Sequence, residues 1–304
     1  MTLNQPFSFV PSISSLLPLM AAMAITVGPN VCAAGDASSA STQSTRYGLF
    51  NMLDHRSSYG EGAYPEPFLV DDSNLEFNEA RFDWLHSEGR ATQIDEGKVE
   101  IEKGFGLLTI ELELPIERDA ASGEKTVAGL SNFNIGARYP IYQYVAPAAG
   151  FDTTFGVAGE VGIPINSGIS RNWEFVPKIF NDLKFGQFTL QSVLGYSTLS
   201  GGGEDSQRQA LEYGFVLGYA IPHDKLPIPG VVQLTPVFEM AGEKALNKAE
   251  AGQNNILGNV AIRANLSAIG PILPKIGVGF VFPLTEVAHQ EMHWGIFTSL
   301  VFEY

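Results

Sequence analysis

The chain closes on M-H-W-G-I-F-T-S-L-V-F-E-Y, residues 292–304, a stretch that alternates with a period of two. Met292, Trp294, Ile296, Thr298, Leu300, Phe302 and Tyr304 share one face, and His293, Gly295, Ser299 and Glu303 fall on the other. This is a strand with one apolar side and one mostly small or polar side. A last strand ending on an aromatic residue beside a free carboxylate is what outer-membrane barrels offer to the barrel-assembly machinery. Trp294, Phe302 and Tyr304 are therefore expected on the closing strand of such a barrel. No internal apolar run reaches the roughly 18 residues that a membrane helix needs. A membrane-spanning form of this chain must be a closed barrel, because hydrocarbon leaves backbone N–H and C=O groups no other partner.

The same alternation recurs from Glu76 onward. Residues 76–86 set Ala80, Phe82 and Trp84 against Arg81 and Asp83, and residues 98–103 and 107–117 flank Gly104-Phe105-Gly106 as a tight hairpin. Residues 131–142 and 153–165 follow. The pattern weakens over 173–183, where Pro177 removes a ladder donor. It returns over 187–199, 211–221, 232–240, 256–266 and 276–284. With the terminal stretch this makes about twelve strands, an even number as single-chain bacterial barrels require. The predicted fold class is all-β: an antiparallel transmembrane β-barrel over residues 76–304, preceded by an N-terminal periplasmic extension.

Parity assigns the connections. If the first strand rises from the periplasm, those beginning near Ser87, Arg118, Asn166, Gly201, Gly242 and Glu286 face outward, and they include long polar stretches such as A-G-E-K-A-L-N-K-A-E-A-G-Q-N. The alternate connections are mostly shorter and less charged, the expected asymmetry of an outer-membrane barrel. A soluble barrel or sandwich would need outward faces rich in Lys, Glu and Thr. The faces opposite the apolar ones here carry Gly, Ala and Asn with isolated charges, which suits a polar lumen. Arg81, Asp83, Glu111, Glu113, Arg138, Glu160, Glu212, Glu239 and Arg263 are expected to line it, since an Arg on the lipid face at mid-membrane costs about 2 to 4 kcal/mol. The net charge of −15 excludes nucleic acid, which needs clustered Lys and Arg. The expected setting is the bacterial outer membrane. The expected partners are its lipids and lipopolysaccharide, the assembly machinery and a small-molecule solute, with no cofactor.

Residues 1–34 read as an export signal, with a largely apolar stretch over 13–27 followed by Gly28, Pro29 and Asn30 and the small-residue run Cys32-Ala33-Ala34, although no Lys or Arg precedes Arg46. Cys32 is the only cysteine, so cleavage after Ala33 or Ala34 leaves neither a disulfide nor a Cys-ligated metal. Residues 35–45 are Ser, Ala and Thr rich, a linker composition. Residues 46–74 carry aromatics without a sustained period. Three placements are compatible with that pattern: a periplasmic extension, a lead-in packed under the barrel, or a plug in its mouth. The expected boundaries are 1–34 for the signal, 35–75 for linker and extension or plug, and 76–304 for the barrel.

The segment G-L-S-N-F-N-I-G-A-R-Y-P-I-Y-Q, residues 129–143, resembles the Gly-x-x-Asp/Asn-x-x-x-Gly-x-(Lys/Arg)-Tyr stretch of a family of outer-membrane proteins named after a phenol-degradation pathway. L-T-I-E-L-E-L-P-I-E, Q-S-V-L-G-Y-S and Y-G-F-V-L-G-Y are similar to that family's strands, so the likeness covers most of residues 76–304. The resemblance implies an outer-membrane barrel that takes up small hydrophobic or aromatic molecules.

Two constellations invite a catalytic reading. His86, His289 and His293 become neighbours at the outer rim if the barrel closes, and with Glu286 or Glu291 they offer a metal site or a base and its orienter. Against this, His86 shares parity with Phe82 and Trp84, and no G-x-S-x-G, H-E-x-x-H or P-loop motif occurs. Glu111 and Glu113 project to one face of a strand, as do Glu100 and Glu102 beside them. They read as lumen charges offset by Arg81, Arg138 or Arg263, or as a cation-attracting constriction. The chain is thus expected to be a channel or uptake barrel rather than an enzyme; a rim hydrolase and a non-conducting structural barrel are the alternatives.

Overall fold

Each half-apolar strand must hide its backbone edges, and the chain does so by closing one antiparallel sheet on itself. The strands are β1 (Asn78–Glu88), β2 (Thr92–Phe105), β3 (Leu108–Ala121), β4 (Val127–Leu130), β5 (Asn132–Ala146), β6 (Phe151–Pro164), β7 (Asn172–Phe185), β8 (Phe188–Gly201), β9 (Gln209–Tyr219), β10 (Ile221–Pro222), β11 (Val231–Ala245), β12 (Asn254–Leu266), β13 (Leu273–Pro283) and β14 (Trp294–Glu303). β14 pairs back onto β1 in a ladder running from Glu79↔Glu303 to Glu88↔Trp294, which removes the last free edge. The short β4 leads into β5 and pairs with β3, and β10 adds two residues beside β11, so twelve strands make the wall. The structure, a computed structural model, describes residues 64–71, 73, 78–90, 92–121, 126–166, 168–203 and 205–304. The export signal, the linker and residues 46–63 lie outside the described residues.

Two strands run longer than their hydrophobic pattern indicates. β2 starts at Thr92, and residues 92–97 carry a single large apolar side chain, Ile94, too few to show an alternation. β7 accommodates Pro177 by a gap in its ladder with β8, which passes from Phe175↔Thr198 to Lys178↔Gly195, while Gly159↔Pro177 keeps the other edge paired.

The distribution of side chains is inverted relative to a soluble protein. Phe82, Trp84, Ile101, Leu112, Phe280 and Leu300 are exposed, whereas Glu79, Arg81, Glu100, Glu102, Glu174 and Arg263 are buried. An apolar band of this extent is intolerable in water and is what lipid requires. Tyr142, Phe185, Phe188 and Tyr304 are exposed near one rim, and Trp173 and Trp294 toward the other, the aromatic girdles of a membrane barrel. The chain is an outer-membrane β-barrel.

The rim bearing Asn78 and Glu303 (the terminal rim) has tight turns. Gly106 and Gly186 sit there at φ 65° and 60°, a left-handed conformation that glycine adopts without a Cβ clash. The opposite, loop rim carries helix α1 (Glu286–Glu291) between β13 and β14. Thr285 caps it by accepting from the Ala288 N–H, and the same hydroxyl accepts from Ile256 N–H at 3.1 Å, tying the helix to β12. Ala288 is fully buried beneath it.

Candidate functional site

The lumen is occupied by the chain's own residues. Residues 64–71 run inside the wall, and each step is held by a different strand. The Lys275 ammonium on β13 lies 2.7 Å from Glu66 and also contacts Glu303 on β14. The Pro67 carbonyl accepts from Arg81 on β1 and, at 3.3 Å, from Arg263 on β12. Glu239 on β11 accepts the backbone N–H groups of Phe68 and Leu69 at 2.7 and 3.0 Å. On β7, Lys178 lies 2.7 Å from Asp71, and Asp182 accepts from the Ser73 hydroxyl at 2.6 Å. The Phe68 ring packs edge-on to Phe297 at 5.4 Å, under the Arg263 guanidinium at 4.3 Å.

Glycines on the wall make this docking possible. A Cβ on Gly277 would sit 2.6 Å from the Phe68 ring, one on Gly214 2.8 Å from Val70, and one on Gly218 3.0 Å from Pro65. The strands are therefore smooth where the loop lies against them, a close approach that larger residues would forbid.

The charged residues singled out by sequence make the following contacts. Arg81 pairs with Asp83 at 2.7 Å. Arg138 contacts Glu102 and lies 3.7 Å from Glu111. Glu113 accepts from Asn134 at 2.9 Å and lies 2.9 Å from Lys98, which also reaches Glu100 at 2.6 Å. Glu160 pairs with Lys178 at 2.6 Å. Arg263 serves the loop and Ser299 (3.1 Å), and Glu239 is held by Asn259 at 2.9 Å. Glu212 is half-buried, with Oε1 shielded and without a donor among the described residues. Arg138 and Lys98 make direct contacts to Glu100, Glu102, Glu111 and Glu113, and Arg81 stands directly opposite Glu100 in the ladder. Lys98, Lys178 and Lys275 were missed by the sequence reading, although Lys275 shares parity with the small inward residues Gly277 and Gly279.

Above the loop, toward the loop rim, lies a cavity of about 200 Å³ floored by Phe68, Leu69 and Val70 and overhung by Ala288, Glu291 and Met292. Its wall divides in two. Leu85, Ala241, Leu257 and Phe297 form an apolar side, continuous with a buried cluster that includes Val216, Val237 and Val281. Glu96, Glu113, Glu117, Glu160 and Glu212 form an acidic side. Outside the spanning strands, burial pushes the Glu291 carboxyl up to about 7, against the pull of its 2.7 Å hydrogen bond from Asn255.

The rim histidines join no group of metal-ligand side chains among the described residues. His86 lies on the outer face, 2.8 Å from Asp95 with its ring against Trp294, while His289 and His293 are exposed. Among the described residues, groups of three or more metal-ligand side chains contain glutamates only, and Arg138, Lys98 and Lys275 already engage them.

No protein-family model matches the chain, and no curated protein matches it in sequence. Among solved structures, an outer membrane channel from Pseudomonas putida F1 is similar over 77% of this chain and 100% of its own, at 13% identity and a TM-score of 0.53. The NanC porin aligns with 75% of this chain and 98% of its own at 9% identity and a TM-score of 0.45, and the KdgM porin with 74% and 99% at 14% identity and 0.41. The first likeness establishes a shared barrel fold.

Proposed function

We propose that the barrel is a gated uptake channel for small solutes. Arg81, Asp83, Glu111, Glu113, Arg138, Glu160, Glu212, Glu239 and Arg263 line its passage, and residues 64–73 serve as its plug. The observation that carries this reading is the fit of the loop to wall glycines at Gly214, Gly218 and Gly277. A barrel filled for structural reasons alone would fill itself with wall side chains, as small barrels do. The fold is also that of a protein described as an outer membrane channel. Resemblance to the phenol-degradation family, together with the apolar side of the cavity, favours solutes with a hydrophobic or aromatic body. Acidic side chains outnumber basic ones on the inner wall, so ions in the passage should be cations, because a narrow low-dielectric path focuses the field of fixed charges.

Planar-bilayer recording on full-length protein and on protein lacking residues 46–73 tests the proposal. The trimmed form should pass cation-selective current and the full-length form less. Anion-selective current, or none from either form despite confirmed insertion, would overturn it and leave a filled structural barrel.

A further inference from the structure

We infer that the cavity above the loop is a binding site for a small organic ammonium ion with an apolar or aromatic body. The inference rests on the channel reading in that such an ion would be the solute in transit.

The site is built into the ladder. Glu117 on β3 stands opposite Glu96 on β2, Glu96 opposite Leu85 on β1, and Leu85 opposite Phe297 on β14. One in-register row therefore changes from two carboxylates to two apolar side chains within four strands, and all four residues line the cavity. Like charges directly opposite across a sheet destabilise it, so Glu96 and Glu117 sit together at a cost that a bound cation would relieve. Among the described residues no cation in the wall pairs with either. Lys98 is the basic residue lining the cavity, and its ammonium is taken by Glu100 and Glu113 at 2.6 and 2.9 Å. Lys178 is held by Asp71 and Glu160, and Arg208 by Glu243. Glu96 has no hydrogen bond or ion pair among the described residues, and Glu117 has the Ser131 hydroxyl. Across the cavity, Glu212 Oε1 has no donor among the described residues.

A bare metal ion would satisfy the carboxylates and leave Leu85, Leu257 and Phe297 facing water. A neutral hydrocarbon would do the reverse. A primary ammonium, with its three N–H donors, can reach Glu96 and Glu117 while its body lies on Leu85 and Phe297, and so uses both sides at once. An organic anion meets the wrong sign on every acidic wall residue.

Calorimetric titration of the full-length protein in detergent with 2-phenylethylammonium, 2-phenylethanol, phenylacetate and calcium chloride tests this. The ammonium should bind roughly tenfold or more tighter than the isosteric alcohol, the worth of one charge-assisted hydrogen bond, and phenylacetate more weakly than either. E96Q/E117Q, which neutralises both carboxylates and leaves at position 117 an amide oxygen that can still accept from the Ser131 hydroxyl, should lower ammonium affinity to that of the alcohol, and Leu257→Asn should weaken both. Equal affinities for ammonium and alcohol would overturn the inference. So would ammonium binding unchanged in E96Q/E117Q, or calcium binding that the ammonium does not displace. Uptake of 2-phenylethylammonium into proteoliposomes separates the two readings. Binding without uptake sustains the site and sinks the channel, whereas uptake without preference for the ammonium sinks the site alone.

Discussion

Glu239 is the residue on which the loop's apex turns, and Glu239→Gln isolates its role. Its buried carboxylate accepts two backbone N–H groups, from Phe68 at 2.7 Å and Leu69 at 3.0 Å. Hydrogen bonds to a charged partner contribute about 1.5 to 3 kcal/mol each. Glutamine keeps one acceptor oxygen, presents an NH₂ group to the other amide, and removes the charge from both bonds. The wall itself is spared, because the Asn259 amide that donates to Glu239 at 2.9 Å can turn to pair with a glutamine. A net loss of about 2 to 3 kcal/mol in docking is expected, roughly a 30- to 150-fold fall in the ratio of docked to undocked loop. Open probability in bilayers should rise, and protease cleavage within residues 64–73 should accelerate while the barrel remains heat-modifiable on gels. Gly277→Ala, which pushes a methyl group against the Phe68 ring, should act in the same direction by a different route. If both variants insert normally and neither changes conductance or cleavage, the loop is not a gate held by these contacts.

An epitope tag placed after Gly202 or Ala249, both in connections on the loop rim, should be detected on intact cells; detection only after the outer membrane is broken would reverse the assigned orientation. Deleting residues 302–304 removes the Phe302–Phe82 contact and Tyr304 beneath Lys103, and outer-membrane yield should fall far more than for Ser299→Ala, which gives up one hydrogen bond from Arg263 worth about 1.5 to 3 kcal/mol; equal yields would refute this. The raised Glu291 carboxyl makes helix α1 pH-sensitive. Its protonated form is favoured in the docked state, so docking is strongest below about pH 4.5, weakens as pH rises to about 7 and is flat above that. Hydrogen exchange at the His289 and Met292 amides, corrected for intrinsic rates, should therefore be slower at pH 5 than at pH 8, and Glu291→Gln should abolish the difference.

The wall was legible in the sequence because lipid enforces a strict rule. One face of every strand must be apolar, so Phe82, Trp84, Val278 and Phe280 announced their strands by period alone. The inner face obeys no such rule. Leu85, Val237, Leu257, Phe297 and Val301 point inward beside charges, and their apolar character blurred the alternation without changing the strand count. The loop was illegible for a different reason. Residues 64–71 form neither helix nor strand, and several of their contacts reach side chains more than 100 positions away, such as Lys178, Glu239 and Lys275. No local period can encode such contacts. Pro65 and Pro67 show only that the stretch avoids helix.

The charge arrangement around that loop bears on whether it can leave. Breaking a buried ion pair by removing one partner costs about 3 to 5 kcal/mol, because the other charge is left uncompensated. Here each lysine that holds the loop has a second acidic partner on the wall: Lys275 has Glu303 as well as Glu66, and Lys178 has Glu160 as well as Asp71. When the loop withdraws, both ammonium groups keep a carboxylate, and the two carboxylates that depart with the loop can be hydrated. The Pro67 carbonyl is likewise a neutral partner for Arg81, which retains Asp83 at 2.7 Å. Both lysines and Arg81 thus keep an ionic partner without the loop, whereas Glu239 and Arg263 keep the neutral partners Asn259 and Ser299, so undocking costs the hydrogen bonds to these two groups and the Phe68 contact. It also removes two negative charges from a lumen that remains acidic. A permanent filling has no need of lysines that are already paired, whereas the proposed plug, which must come and go, does.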